Sequence, residues 1–427
     1  MKEIHFYNTL TREKDLFTPI QKDEVLIYSC GPTVYHYAHL GNLRAYVFAD
    51  ILNNTLNQAG YKIKHQINIT DVGHLVSDSD EGEDKMEKGA EREGKNVWDI
   101  AEFYTEAFYK DLSALNIDKE KFTWTKATDY IKEQIEMVKK LEEKGFTYKT
   151  SDGIYFDTSK FPNYSELAHI DIEGLQKGKR IEDENNEKKN KTDFALWKFS
   201  PINEKRQMEW DSPWGVGFPG WHIECSAMIK AVLGDHIDIH TGGIDHIPVH
   251  HTNEIAQSES SCDDGKRFVN YWMHINFLNA QRGSCQIKMS KSDGDFLRLE
   301  TLKERNVNPL SYKYLLLMTH YRKEIKFSFE SLEAADNAYQ KLLKQVDKIK
   351  TPSGGLPSAS PKMGSEIQNL SDKAKVYLDK FVSAMNDDLN TSIALATLWS
   401  ILGDKELSTE EKYTLVLKID KYFALKL

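Results

Sequence analysis

A unit of strand, helix and strand is predicted close to the start of the chain. Residues 25–28 form a short apolar run, typical of a buried strand, which is followed by a Gly-Pro break. Apolar side chains then recur at three- and four-residue spacing from 43 to 56, as on the buried face of a helix, and Gly60 marks its end. Alternation resumes over residues 64–70. The pattern predicts a βαβ unit, and parallel strands joined in this way bind ligands at their carboxyl ends.

The rest of the chain divides into three parts that differ in their pattern of apolar and charged residues. Residues 121–212 are mixed and partly highly charged, and we interpret them as an insertion into the sheet domain. Apolar, strand-like segments return at 237–239 and 268–277. From 333 onward the apolar spacing is helical. These patterns predict an interrupted α/β domain followed by helices.

Composition and charge narrow the class of protein. The chain has 427 residues, of which 40% are hydrophobic and 29% charged, as in ordinary globular proteins. No apolar run approaches the roughly 20 residues of a membrane span, and the first residues lack the features of a signal peptide. We therefore expect a cytoplasmic protein. Since the net charge is −10, any RNA-binding surface must be a local basic patch.

Cysteine usage leaves metal binding, catalysis or plain buried thiols as alternatives. The cysteines are Cys30, Cys225, Cys262 and Cys285. Four in a chain of this length do not form a disulfide framework, and no CxxC pair joins them into a metal site by spacing. His250 and Glu254 stand four apart and would share a helix face, a workable spacing for metal ligands. Taken alone, such a pair is more often a surface contact.

Two short segments have chemistry suited to phosphate. HLGN at 39–42 falls at the start of the first predicted helix, where free N–H groups and the helix dipole attract anions. KMSKS at 288–292 offers two ammonium groups that could neutralise charge on a triphosphate. Each also has a simpler interpretation, as a helix cap and as a solvated basic turn.

The order of these segments resembles the class I aminoacyl-tRNA synthetases, whose paired signatures are HIGH and KMSKS. The more specific resemblance is to the cysteinyl-tRNA synthetase family. It rests on CGPTVY at 30–35, NITD at 68–71, DFALWK at 193–198, GWHIECSAM at 220–228, NEIAQS at 253–258 and YWMH at 271–274. The resemblance extends from about residue 5 to 330 and, more weakly, through 385–391. So many segments in one order make it highly specific.

The resemblance implies an activity and a domain plan. The expected reaction joins cysteine to ATP, forming cysteinyl adenylate and pyrophosphate, and then transfers cysteine to the 3′ end of tRNA(Cys). The expected fold is α/β, with a Rossmann-like parallel-sheet catalytic domain containing an insertion, followed by a C-terminal α-helical bundle. The expected parts are the two catalytic halves at 1–120 and 213–275, the insertion at 121–212, a connecting segment with KMSKS at 276–332 and a tRNA-binding bundle at 333–427. A monomer is expected, with one Zn²⁺ per chain and Mg²⁺ accompanying ATP.

The resemblance also assigns site residues. The implied zinc ligands are Cys30, Cys225, His250 and Glu254. The implied cysteine-binding residues are Gly31, Thr70, Trp221, His240 and Asp245. The implied ATP-binding residues are His39, Gly41, Asn42, Lys288 and Lys291. Among these, His39, Lys288 and Lys291 are the expected catalytic residues, and Lys291 is expected to contribute most.

The chain departs from the family pattern at a few positions. The departures are Asn42 for the last His of HIGH, His36 for an Asp, Gly73 and His74 for an Asp pair, Phe218 for an Arg, and Pro248 with Val249 for Phe-Pro. None removes an implied metal ligand, but the altered Asp pair and Arg bear on the edge of the cysteine pocket. The family's small C-terminal anticodon-binding module is expected to be missing.

Two alternative functions stay open on the sequence. One is a ligase that activates cysteine in the same way and passes it to an amino sugar. The other is a non-catalytic, synthetase-like RNA-binding protein. Cysteine-dependent ATP–pyrophosphate exchange, followed by transfer to tRNA or to an amino sugar, distinguishes all three.

Overall fold

The structure is a computed structural model that describes residues 2–72, 85–169, 187–201, 206–282, 285–288, 297–350 and 370–427. The KMSKS segment lies outside the described residues except for the backbone of residue 288, and so do Gly73 and His74. No helix among the described residues is both long and apolar enough to cross a membrane.

Strands and helices alternate up to residue 327, and the described elements after it are helices. The strands are β1 (His5–Asn8), β2 (Glu13–Leu16), β3 (Glu24–Ser29), β4 (Lys62–Ile69), β5 (Thr123–Lys126), β6 (Thr147–Lys149), β7 (Gly153–Phe156), β8 (Phe194–Phe199), β9 (Gly217–Pro219), β10 (Ile237–Gly243), β11 (Val269–Ile275), β12 (Leu278–Arg282), β13 (Cys285–Lys288) and β14 (Ile325–Phe327). The helices are α1 (Leu40–Gln58), α2 (Lys85–Glu93), α3 (Val97–Ala114), α4 (Ile131–Glu143), α5 (Trp221–Val232), α6 (Thr252–Ser261), α7 (Leu299–Glu304), α8 (Pro309–Leu317), α9 (Phe329–Lys350), α10 (Asp372–Asn386), α11 (Thr391–Gly403) and α12 (Thr409–Phe423).

A five-stranded parallel sheet forms the centre, in the order β11-β10-β3-β4-β5. The predicted βαβ unit is confirmed as β3, α1 and β4, with Ile27 opposite His65 in the register. The apolar face of α1 is buried, and Gly60 takes a φ of 98° just after the helix, a conformation that favours glycine. Polar side chains of β4, including Gln66 and Asn68, are buried too. Strands enclosed on both faces are typical of parallel sheets.

The insertion is a separate antiparallel sheet in the order β6-β7-β8-β9. The expected insertion runs from 121 to 212. Near its ends, β5 lies after 121 and pairs with β4 in the central sheet, and β9 lies after 212 and pairs with β8. Both strands are short, and β5 is half polar and partly exposed, so neither has the apolar run that marks a buried strand.

The C-terminal helices pack on the first helix of the sheet domain, and α9 begins at Phe329. The side chain of Asn54 in α1 donates to the carbonyl of Tyr422 at 3.2 Å. The hydroxyl of Tyr339 in α9 donates to the carbonyl of Leu425 at 2.7 Å, which fastens the chain end to the bundle. The predicted order of sheet domain and helical bundle is confirmed.

A buried carboxylate ties the bundle to the sheet domain. Asp388 follows α10 and is fully buried. It accepts hydrogen bonds from the N–H of Tyr7 at 2.9 Å, the hydroxyl of Tyr321 at 2.5 Å and Nε of Arg322 at 2.8 Å. Because these donors come from β1 and from the segment before β14, one side chain joins three parts of the chain.

Candidate active site and metal cluster

A cleft opens at the carboxyl ends of β3, β10 and β11, beside the N-terminus of α1. Its volume is about 1470 Å³, including the open mouth. The sequence-predicted residues that line it are Cys30, Gly31, His39, Gly41, Asn42 and Asp245. Parallel sheets place ligands at this edge, so the cleft lies where the βαβ pattern predicted.

His39 and Asn42 cap α1 through reciprocal hydrogen bonds. The N–H of Asn42 donates to Nδ1 of His39 at 3.0 Å, and the N–H of His39 donates to Oδ1 of Asn42 at 3.2 Å. This is a capping box, which stabilises the first turn of a helix. A Cβ on Gly41 would come within 3.0 Å of the His39 ring. Asn42, which replaces the last His of HIGH, thus still forms a polar cap at the end of α1 that faces the cleft.

Gly31 lies against β4 so closely that no other residue fits. Its N–H donates to Oδ1 of Asn68 at 2.6 Å, and a Cβ would lie 1.5 Å from the Asn68 carbonyl oxygen. Asn68 also donates through Nδ2 to Oγ1 of Thr70 at 2.9 Å. The amide of Asn68 therefore positions both Gly31 and Thr70, which the sequence assigned to the cysteine pocket.

Two buried carboxyl groups lie behind Thr70. Glu224 is fully buried and hydrogen-bonds Thr70, while Asp71 accepts from the N–H and hydroxyl of Thr128 at 3.0 and 2.6 Å. Burial raises the pKa of Glu224 well above its usual value, and the nearby charge of Asp71 raises it further. Burial also raises the pKa of Asp71. These acids form a polar floor under the pocket.

Cys30, Cys225, His250 and Glu254 meet in one buried cluster. One potential ligand atom from each lies within 4.8 Å of all the others. Sγ of Cys225 lies 3.5 Å from Nε2 of His250, which is 2.7 Å from Oε1 of Glu254. The cluster joins the end of β3 to α5, to the irregular turn at Ile247–His251 and to α6. Four residues that spacing could not connect are thus neighbours in the fold.

A second group of possible ligands overlaps the first. It consists of Cys30, His240, His251 and Glu254, again within 4.8 Å. Nε2 of His240 lies 2.6 Å from Oε2 of Glu254, and Nε2 of His251 lies 3.2 Å from Sγ of Cys30. The two groups share a thiol and a carboxylate, so the choice between them depends on donor chemistry.

The two thiols of the cluster have pKa values shifted in opposite directions. Burial raises the pKa of the Cys30 thiol well above its usual value, and Cys225, Glu254 and Asp245 act in the same direction. A hydrogen bond from Cys30 lowers the pKa of the Cys225 thiol to about 7, against the effect of burial. Burial would lower the pKa of His250, but the charges of Glu254 and Cys225 raise it to about 10. Burial opposes ionisation of Glu254, yet His240 and His250 hold its pKa below the usual range.

Aromatic stacking orients the remaining predicted residues. Trp221 opens α5 and stacks on the His250 ring, with centroids 4.5 Å apart. His240 is fully buried in β10 and stacks on Trp272 at 4.6 Å. Asp245, in the turn after β10, is exposed on the cleft side. The structure therefore places Gly31 and Asp245 at the cleft and Trp221 and His240 at the cluster, while Thr70 contacts Asn68 beside Gly31.

The sequence interpretation missed further residues that support the cluster. Nδ1 of His250 lies 2.9 Å from Nδ1 of His222. Nδ1 of His251 lies 2.8 Å from Nε2 of His274, whose Nδ1 lies 2.6 Å from Oγ1 of Thr9. His274 ends the YWMH segment near the carboxyl end of β11, so the rule that placed the cleft could also have identified it.

Phe218, one of the departures, is buried beneath a cation from elsewhere in the chain. The guanidinium of Arg206 lies 3.8 Å from the centre of the Phe218 ring. This is the geometry of a cation–π contact. Phe218 is therefore in contact with an arginine that comes from a different position in the sequence.

Comparisons with known proteins show which family the chain belongs to. Residues 16–337 match the family described as tRNA synthetases class I (C) catalytic domain. Cysteine–tRNA ligase 1 of Burkholderia lata is 50% identical over 93% of this chain and 79% of its own length. Cysteine–tRNA ligase of Treponema denticola is 46% identical over 99% of this chain and 86% of its own.

Solved structures share the fold at low sequence identity. A methionyl-tRNA synthetase of Mycobacterium tuberculosis in complex with methionyl-adenylate is 14% identical, with a TM-score of 0.60 over 94% of this chain and 89% of its own. The agnB2 LeuRS of Agrobacterium radiobacter K84, in a ternary complex with tRNA and LeuAMS, is 11% identical, with a TM-score of 0.64 over 96% and 85%. The likeness extends through the helical bundle as well as the sheet domain.

Proposed function

The chain belongs to the cysteine–tRNA ligase family of class I tRNA synthetases, and from this membership we propose how its own residues hold the metal and the substrates. As a member it is an enzyme that activates cysteine with ATP, releases pyrophosphate and transfers cysteine to tRNA. Relatives with this name match nearly the whole chain, which disfavours an amino-sugar ligase and a non-catalytic protein.

We propose that Cys30, Cys225, His250 and Glu254 hold one zinc ion. Cys, His and carboxylate are the ligands zinc prefers, at about 2.0–2.3 Å from the metal, so neighbouring ligand atoms lie roughly 3–4 Å apart. The 3.5 Å between Cys225 and His250 fits that spacing, whereas His250 and Glu254 lie closer, at hydrogen-bond distance. This set uses both thiols of the cluster, and the overlapping histidine set would leave the buried Cys225 unused.

The proposed pocket selects cysteine by its sulfur. A pocket that holds a thiol also accepts a hydroxyl, so shape alone would distinguish serine by only about 1–3 kcal/mol. Zinc at this cluster would favour the substrate's sulfur as a thiolate over the harder and less acidic hydroxyl of serine. We propose that Trp221 and His240 fix the ligands and wall the pocket, while Gly31, Thr70 and Asp245 contact the rest of the amino acid.

ATP would lie between α1 and the KMSKS segment. The capped N-terminus of α1, with His39, Gly41 and Asn42, faces the cleft and suits phosphate. We propose that Lys288 and Lys291, together with Mg²⁺, neutralise the charge that develops on the phosphoryl oxygens. The cysteine carboxylate attacks the α-phosphate and pyrophosphate leaves. The tRNA ribose hydroxyl then attacks the adenylate.

The meeting of the four ligands in one buried cluster carries this proposal, and zinc content with substrate selectivity tests it. We expect one zinc per chain by elemental analysis and an additional zinc–sulfur contact by X-ray absorption when cysteine is added. Pyrophosphate exchange should reject serine strongly. Absence of zinc, or sulfur coordination unchanged at saturating cysteine, would overturn the proposed basis of selectivity.

We further propose a monomer that works in the cytoplasm, where its substrates ATP and tRNA are found. Analytical ultracentrifugation and cell fractionation test these two statements directly. A dimer in solution would overturn the first.

A further inference from the structure

One wall of the cleft is held from behind by a short segment of the chain. The wall consists of Asn276, Phe277 and Leu278, at the junction of β11 and β12. It lies close to the N-terminus of α1, since a Cβ on Gly41 would be 3.6 Å from the carbonyl oxygen of Leu278. The segment behind it comprises residues 320–323, shortly before β14, and we call it the bridge.

The bridge and the wall are joined by hydrogen bonds of the backbone and of two side chains. The N–H of Asn276 donates to the carbonyl of Tyr321 at 3.0 Å, and Nδ2 of Asn276 donates to the carbonyl of Arg322 at 3.0 Å. The guanidinium of Arg44 in α1 donates to the carbonyls of both Asn276 and Tyr321. A displacement of the bridge would therefore move the wall or break its hydrogen bonds.

The bridge is bound to the helical bundle by Asp388. Oδ1 of Asp388 accepts from the hydroxyl of Tyr321 at 2.5 Å, and Oδ2 accepts from Nε of Arg322 at 2.8 Å. The carbonyl oxygen of Asp388 lies 2.9 Å from Nε2 of His320. Because Asp388 is fully buried, loss of its carboxylate would leave the two side-chain donors of the bridge without this acceptor.

These contacts connect the bundle to the first step of the reaction. The expected partner of the bundle is tRNA, but adenylate formation requires only cysteine and ATP. The wall that the bridge holds nevertheless lies at the end of α1 that is proposed to face phosphate. Reaction rates depend steeply on the position of the reacting groups, so a small movement of the wall would change the use of ATP.

We propose that Asp388 is a positioning residue for adenylate formation, which fixes the wall at 276–278 through the bridge. The bundle thereby contributes to a step in which tRNA takes no part. The inference rests on the proposed placement of ATP beside α1, and it deepens that proposal by assigning the bundle a part in the binding of ATP. A purely structural Asp388 would change the amount of folded protein and leave the KM for each substrate unaltered.

The test measures ATP–pyrophosphate exchange without tRNA in Asp388→Gly and Asp388→Asn, with rates expressed per active site by titration. Asp388 takes a φ of 59°, which glycine and asparagine adopt more readily than alanine. We expect Asp388→Gly to raise the KM for ATP and lower kcat, each by about tenfold, because the wall is displaced. The KM for cysteine and the zinc content should not change. Asp388→Asn retains an oxygen for Tyr321 and should recover most of the loss.

The matched control is Asp387→Gly. Asp387 is the preceding residue and pairs on the surface with Lys14 at 2.6 Å, so the same substitution there leaves the contacts of the bridge in place. It should behave as wild type. An equal rise in the KM for ATP in Asp387→Gly would overturn the inference. So would a wild-type KM for ATP in Asp388→Gly, or a change confined to the KM for tRNA in aminoacylation.

A milder variant keeps the inference testable if Asp388→Gly does not fold. Tyr321→Phe removes one hydrogen bond to Asp388 and retains the ring, which packs on Phe48 with centroids 4.6 Å apart. It should raise the KM for ATP by a smaller factor than Asp388→Gly, and a wild-type value would overturn the inference. Failure of the wild-type protein itself to exchange pyrophosphate in the presence of cysteine would instead refute the proposed function.

Discussion

Arg44 in α1 donates a hydrogen bond of 2.6 Å to the carbonyl oxygen of Phe277, which immediately precedes β12. The same guanidinium, only 4% exposed, donates to the carbonyls of Asn276, Tyr321 and Lys323 at 2.7, 3.1 and 2.6 Å. α1 carries the HLGN segment, and the β12–β13 hairpin leads into KMSKS. One side chain therefore holds the segment that leads into this hairpin against the helix that carries HLGN.

Arg44→Lys should slow adenylate formation without loss of zinc. One ammonium cannot replace a planar guanidinium that bonds several carbonyls, so the hairpin should shift relative to α1. Misplacement of about 1 Å can cost roughly 100-fold, and we expect pyrophosphate exchange to fall by about 10- to 100-fold. Arg305→Lys, whose guanidinium lies over the Phe329 ring away from the cleft, is the control. Exchange at the wild-type rate in Arg44→Lys would contradict the positioning role.

Cys225→Ala should abolish zinc binding, whereas His251→Asn should retain one zinc per chain. The reason is that Cys225 belongs to the proposed ligand set and His251 only to the overlapping one. Elemental analysis of the folded, purified variants measures both. The opposite result, with zinc kept in Cys225→Ala and lost in His251→Asn, would assign the metal to the histidine set.

Lys291→Ala should lower adenylate formation by about 100- to 1000-fold, the usual effect of removing a preorganised group that stabilises developing charge. Zinc content and thermal stability should not change, because Lys291 is expected to act only on the triphosphate. Pyrophosphate exchange under saturating cysteine and ATP checks the rate. An exchange rate near that of wild type would exclude the role.

Asp50→Ala should destabilise the protein by about 3–5 kcal/mol, because it leaves a buried charge uncompensated. Asp50 and Lys313 are both fully buried, with Nζ and Oδ2 3.0 Å apart. Lys121 also pairs with Asp50 but is one-third exposed and can turn to water. The double variant Asp50→Ala with Lys313→Met should recover most of the loss in urea unfolding. Equal instability of the single and double variants would argue against a buried-charge penalty.

His65 should make the protein less stable in mild acid. Burial lowers the pKa of His65 to about 3, against about 6.5 in an unfolded chain. Between pH 7.5 and 5.5 the unfolded imidazole takes up a proton and the folded one does not, so this group removes about 1.4 kcal/mol of stability as the pH falls. His65→Gln should show a pH dependence of unfolding smaller by that amount. The same dependence in both proteins would show that His65 titrates normally in the fold.

The hydrophobic pattern predicted the centre of the fold because the secondary structure there follows from the spacing of apolar residues close together in the sequence. β3, α1 and β4 each have the period of their structure, and Gly60 ends the helix where it was expected. The pattern did not identify β5 or β9. A short strand takes its place from the neighbour it pairs with, and that neighbour is distant in the sequence.

The residues of the candidate site could not be predicted from the hydrophobic pattern of the chain alone. No spacing rule connects Cys30 with Cys225, and the resemblance to a family identified them as partners before the fold brought them together. His274 and Asn68 act by holding other residues, and such roles depend on contacts between strands.

The arrangement of the metal cluster has a consequence for how the protein is made. Cys30 follows an early strand, but Glu254 is synthesised more than two hundred residues later. At the pace of translation this interval is roughly 10–45 s. For most of that time Cys30 has none of the other three residues beside it, because Cys225, the first of them, is made 195 residues after Cys30. If zinc binds at this cluster as proposed, its capture is a late event in the synthesis of the chain, and a cell short of zinc would release complete chains with an unfinished active site.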